Sequence, residues 1–169
     1  MNKMYLSDWE ISEAVNAIVL QMYKDMWRPD YIVGITRGGL IPAVQLSHAI
    51  DVPMRSLDVS LRDSNDMLES NCWMSEDAFG VFQQGVGYEG KNILILDDIN
   101  DTGATFEWIC RDWQSTCMPG DSHWNNVWHH NVRFAAMVDN LASGFKIDYS
   151  AREINKAEND VWVVFPWER

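Results

Sequence analysis

A chain of 169 residues that is 47% hydrophobic is long enough for one domain with a full core and short for two. Its 13 Lys and Arg against 25 Asp and Glu give a formal charge of -12, which argues against a nucleic-acid binder or an anionic membrane surface and in favour of a small ligand. No apolar run approaches a membrane span, the start MNKMYLSDWE has no signal-peptide core, and Cys72, Cys110 and Cys117 lack the spacing of a zinc or redox motif, so a cytoplasmic protein with free thiols is expected.

Residues 7–26 open with Ser7 and carry Glu10 three positions later, a capping box, followed by Ile11, Ala14, Val15, Ile18, Val19, Met22 and Met26 on one stripe. This predicts an amphipathic helix. Next comes YIVGI, a short apolar strand pattern, then TRGG, then LIPAVQLSHAI, whose spacing and early Pro42 suit a helix. RSLDVSL reads as another strand. NILILDD is a third, running through INDTG into the helical ATFEWICRDWQ. VRFAAMV, FKIDYSA and DVWVVFPW read as later strands, the last stopped by Pro166. Short apolar strands alternating with helices predict an α/β fold, a mainly parallel sheet covered on both faces. Residues 62–90 and 117–131 fit neither pattern and read as long loops.

In such a sheet ligands bind beyond the carboxyl ends of the strands. Asp97, Asp98 and Asp101 fall at one of these ends, where three like charges directly after an apolar strand cost stability unless something binds. The following DTGAT offers Gly103 for an unusual backbone angle, amides at a helix start, and the hydroxyls of Thr102 and Thr105. It lacks the lysine of a triphosphate-binding loop, so a monophosphate is expected across Thr102, Gly103, Ala104 and Thr105. Carboxylates beside a phosphate cradle suit a ribose 5-phosphate: Asp97 and Asp98 can accept from its two hydroxyls or hold a divalent cation. Asp101 or Thr102 also suits a helix cap.

ILILDDINDTGAT resembles the phosphoribosyl-pyrophosphate signature of the type I phosphoribosyltransferases, and VGITRGGLIPA is similar to that family's pyrophosphate loop. The resemblance implies one phosphoribosyltransferase-like domain over residues 1–169, with a flexible lid at about 61–90 and a small C-terminal hood at about 139–169 that binds the base. It implies that the backbone of Thr36, Gly38 and Gly39 and the side chain of Arg37 receive the diphosphate, with Thr36–Arg37 the candidate for a non-proline cis peptide. WVVFPWE is similar to the end of the xanthine-guanine and related 6-oxopurine enzymes, which makes Trp162 the residue stacking on the base and Val163 the backbone reader of its edge. The implied reaction joins a purine base to phosphoribosyl pyrophosphate with Mg2+, held by Asp98 and Asp97, giving a nucleoside monophosphate. Asp101, Asp98 and Arg37 are the implied catalytic residues, Asp101 sharing the base's proton. Relatives in this family are commonly dimers or tetramers, so a homo-oligomer is expected.

Two features depart from that pattern. Where relatives carry a lysine that reads the 6-oxo group, this chain has Asp139 and Asn140, of which Asn140 can donate to a carbonyl and Asp139 can only accept while ionised. Lys146, six residues beyond Asn140, can substitute only by an altered path. The segment 57–90, which contains the expected lid, is strongly acidic, with Asp58, Asp63, Asp66, Glu69, Glu76, Asp77 and Glu89 against Arg62. A non-catalytic binder of phosphoribosyl pyrophosphate and a transferase for another base therefore stand as alternatives. His129 and His130, being adjacent, make a weak metal pair, and like His123 they read as solvated loop residues; Trp108, Trp113, Trp124 and Trp128 read as core or subunit contacts.

Overall fold

The computed structural model describes residues 1–59, 72–80 and 89–169. Its elements in chain order are β1 (Asn2–Tyr5), α1 (Asp8–Lys24), β2 (Tyr31–Ile35), α2 (Leu40–Ile50), β3 (Met54–Leu57), α3 (Cys72–Phe79), β4 (Ile93–Asn100), α4 (Ala104–Thr116), a 3-10 turn at Ser122–Asn126, β5 (Val132–Asn140), β6 (Tyr149–Ile154), β7 (Val161–Val164) and a 3-10 turn at Pro166–Glu168. Five strands form one parallel sheet in the order β3-β2-β4-β5-β6, and β1 pairs in parallel with β7 to make a separate two-stranded sheet. No helix among the described residues is long and apolar enough to cross a membrane.

The central strands are apolar on both faces because both faces are covered. Successive residues alternate between two cores: Ile32, Leu94 and Leu96 pack with α1, α2 and the small sheet, while Val33, Ile93 and Ile95 pack with α3 and α4. The Ser7 box is formed in full, with the Glu10 amide donating to Ser7 Oγ and the Ser7 amide to the Glu10 carboxylate. The helix stripe ends sooner than expected. Met26 has φ 51 and is 94% exposed, since the helix closes at Asp25 and the chain turns away.

Other boundaries also shift. The third strand stops at Leu57. The strand expected in FKIDYSA begins only at Tyr149, because Phe145 and Ile147 turn into the second core and the Asp148 carboxylate accepts from the Phe134 amide at 2.8 Å. Most of the expected lid lies outside the described residues. Its described helix, α3, packs by Met74, Ala78 and Phe79 into the second core. In the loop expected at 117–131, Trp124 is buried and stacks on Trp128 with ring centroids 5.2 Å apart. His123, His129 and His130 are exposed. β1, unforeseen in the sequence, lies beside the C-terminal strand with Lys3 opposite Trp162 and Met4 opposite Val163.

Candidate active site

All five strands of the main sheet run the same way, so their carboxyl ends form one edge. Toward this edge β4 carries Asp97 and Asp98 ahead of its last residues, Ile99 and Asn100, with Asp97 opposite Ala136 of β5. The chain folds back on the two acids: the Asp98 amide donates to Asp97 Oδ1 at 2.9 Å and the Ile99 amide to Asp98 Oδ1 at 2.8 Å. Among the described residues neither carboxylate has an ion-pair partner. Burial and the neighbouring Asp98 charge hold the Asp97 carboxyl well above its usual range. Burial likewise raises Asp98, against the pull of its hydrogen bonds. Two crowded oxygen donors short of positive charge fit a hard divalent cation such as Mg2+.

The strand hands over to α4 through Gly103, which has φ +89 and whose β-carbon position is 2.5 Å from Phe145 Cβ. Only glycine fits that turn. Gly103 is the N-cap residue and supplies no side chain; Thr102 Oγ1 accepts from the Ala104 amide at 3.3 Å. The first-turn amides of a helix have no partner within it; that of Ala104 is met by Thr102 Oγ1, and those of Thr105 and Phe106 are groups of the kind that can receive an anion.

The loop from β2 to α2 faces the same corner. The Thr36–Arg37 peptide is cis, as expected, and Thr36 Oγ1 donates to Asp58 Oδ1 at 3.2 Å. Gly38 lies directly against the Asp98 carboxylate, and Gly39 is wedged over β4, its β-carbon position 2.5 Å from the Leu96 carbonyl oxygen. Arg37, Gly38, Ile41, Asp98, Trp167 and Glu168 line a cavity of about 610 Å³. The Glu168 charge contributes to the raised Asp98 pKa. Neither Trp167 nor Glu168 stands out in the sequence as a site residue, since only the fold returns the chain end to this loop.

The other side of the corner is built by residues of β5 and β7 and the loop between β6 and β7. Asn100 is buried and donates to Asp139 Oδ1 and to the Phe145 carbonyl, both at 2.8 Å, so Asp139 serves the strand junction. Asn140, expected to donate to a base carbonyl, is engaged otherwise. Its Nδ2 donates to the Asp101 carbonyl at 2.8 Å and its Oδ1 accepts from the Ala142 and Lys156 amides. Lys146 is exposed, and the lysine found at this corner is Lys156, whose Nζ lies 2.9 Å from Asp101 Oδ1 and 5.8 Å from the Trp162 ring centroid. Trp162 is 49% exposed on β7, whereas Val163 is buried. An isolated lysine in the polar run INKAEND carries no sequence signal; only the loop closure reveals it.

The chain is similar to known proteins over most of its length. Over 146 residues the chain is 29% identical to xanthine-guanine phosphoribosyltransferase of Cereibacter sphaeroides, covering 84% of this chain and 70% of that protein. It is 24% identical to hypoxanthine-guanine phosphoribosyltransferase of Schizosaccharomyces pombe, covering 85% and 79% respectively. The crystal structure of purine phosphoribosyltransferase from Pyrococcus horikoshii superposes with a TM-score of 0.65 at 26% identity, over 100% of this chain and 95% of that one. Residues 2–168 match the model of the phosphoribosyl transferase domain, and the chain belongs to that family.

Proposed function

We propose that this protein transfers the phosphoribosyl group of phosphoribosyl pyrophosphate to a purine base, with hypoxanthine, guanine or xanthine as acceptor. The 5'-phosphate sits on the amides and hydroxyls of Thr102, Gly103, Ala104 and Thr105. The diphosphate sits on Thr36, Gly38 and Gly39 with Arg37 beside it, and the ribose hydroxyls donate to Asp97 and Asp98. The base stacks on Trp162, its edge toward Asp101 and the Val163 backbone. In the reaction the anomeric carbon loses its bond to the diphosphate oxygen and gains one to an imidazole nitrogen of the base, while the proton on the other imidazole nitrogen passes to Asp101. The charge of Asp97 and Asp98 favours the positive charge that develops on the ribose ring. Asp98 and Asp97 would also hold Mg2+, which when bound neutralises charge on the departing diphosphate. Fixing both reactants at one edge supplies most of the acceleration in a displacement of this kind.

The observation that carries this reading is the contact of Gly38 with Asp98, which joins the diphosphate loop to the acidic corner. The xanthine-guanine, hypoxanthine-guanine and purine activities in the names of the relatives support the choice of base. The protein is assigned to the cytoplasm, in keeping with the free thiol of Cys110, and to a homo-oligomer, a dimer or tetramer, for which exposed Leu20, Tyr23 and Met26 offer apolar surface. The test is release of pyrophosphate from phosphoribosyl pyrophosphate with Mg2+ and each purine in turn. Turnover that disappears in excess chelator supports the proposal. Binding of the sugar phosphate without release, whichever base is added, would point to a non-catalytic binder.

A further inference from the structure

Asp101 and Lys156 form a ready-made acceptor and donor side by side. The Lys156 ammonium is 2.9 Å from Asp101 Oδ1 with its side chain 20% exposed, and the same nitrogen stands over the Trp162 ring at 5.8 Å. The pairing is held from behind by Asn140, which accepts from the Lys156 amide at 3.0 Å and donates to the Asp101 carbonyl at 2.8 Å. Asn155 closes the turn that presents the lysine: its carbonyl accepts from the Glu158 and Asn159 amides and its side chain from the Ala157 amide. Lys156 is thus fixed by its backbone, while the ammonium has three donors and, among the described residues, one ion-pair partner.

We propose that Lys156 is the specificity-determining residue of the base site, donating to the 6-oxo group of a purine stacked on Trp162 and rejecting 6-amino purines. The inference rests on the reading of Trp162 as the base platform. A 6-oxopurine presents an acceptor at O6 next to a nitrogen whose proton Asp101 can accept. A 6-aminopurine puts N–H donors at the first position, facing an ammonium that can only donate. Sites that fully desolvate such a mismatch discriminate by about four to five orders of magnitude. Lys156 keeps some solvent contact, so the expected preference is smaller, about 10- to 100-fold for one charge-assisted bond.

The experiment measures calorimetric affinities of guanosine 5'-monophosphate, adenosine 5'-monophosphate and ribose 5-phosphate for the wild type, Lys156→Met and Lys156→Arg. The wild type prefers the guanosine over the adenosine nucleotide by at least about 10-fold. Lys156→Met reduces that preference to about threefold or less with ribose 5-phosphate affinity unchanged, and Lys156→Arg restores part of it. A preference that survives Lys156→Met overturns the proposal, as does a wild type that binds both nucleotides more tightly than ribose 5-phosphate but equally. If neither nucleotide exceeds ribose 5-phosphate in affinity, the Trp162 platform itself is wrong and the role of Lys156 falls with it.

Discussion

Gly38 lies so close to Asp98 that a β-carbon at Gly38 would overlap the carboxylate oxygen Oδ2. The neighbouring Gly39 is equally crowded, but by backbone: its β-carbon position is 2.5 Å from the Leu96 oxygen and 2.8 Å from the Ile35 oxygen. A carboxylate can rotate away and a strand carbonyl cannot. Gly38→Ala is therefore expected to leave the melting temperature nearly unchanged while lowering turnover by about 100-fold through a displaced Asp98. Gly39→Ala should cost about 1–3 kcal/mol, a fall of about 2–4 °C in Tm for each kcal/mol at this chain length. Equal Tm losses in the two variants, read by calorimetry, would contradict the contact geometry.

Asp97 gives a pH prediction. Its folded pKa lies above the unfolded value of about 3.9 because burial and Asp98 disfavour the charge. The fold therefore retains a proton that the unfolded chain has released. The resulting stability is fully present below the unfolded pKa and is lost as pH rises through the folded one. In metal-free buffer, Asp97→Asn should flatten the decline of Tm with pH above about 4 and be the more stable protein at neutral pH. Parallel Tm curves for variant and wild type would refute this.

Trp162 is half-exposed on β7 of the small sheet, so its removal should be felt in binding more than in folding. Trp162→Ala is expected to weaken nucleotide binding by about 1–3 kcal/mol and to leave ribose 5-phosphate affinity unchanged. Calorimetric titration with both ligands separates the two. Undiminished nucleotide affinity would remove Trp162 from the site.

The proton-accepting role of Asp101 has its own signature. Asp101→Asn should lower kcat by at least about 100-fold, the usual contribution of a positioned base, while changing sugar-phosphate affinity little. Steady-state kinetics alongside direct titration measure both quantities. Losses of equal size would reassign Asp101 to binding.

Much of this architecture is written locally in the chain. Ser7 and Glu10 mark the first helix because a capping box is a four-residue signal, and YIVGI and LIPAVQLSHAI have the bounds of β2 and α2 because each pattern is uninterrupted. The acidic corner is legible for the same reason: strand, acids, Gly103 and helix are contiguous. What the sequence conceals is non-local. β1 is four mostly exposed residues whose partner, β7, begins at Val161. Lys156 sits in a polar stretch and Glu168 follows the aromatic run at the chain end, and both reach the site only by chain return, while Asn140 looks like a base reader until its bonds to the Asp101 and Lys156 backbone are seen. Met26 continues the helical spacing, yet the helix has already closed.

The central claim is that the end of β4 holds a phosphorylated ribose, and a crystal soaked with ribose 5-phosphate tests it most directly. The account predicts the phosphate on the amides that follow Asp101 and two sugar hydroxyls on Asp97 and Asp98. A well-ordered ligand bound elsewhere, with these groups left to solvent, would contradict it.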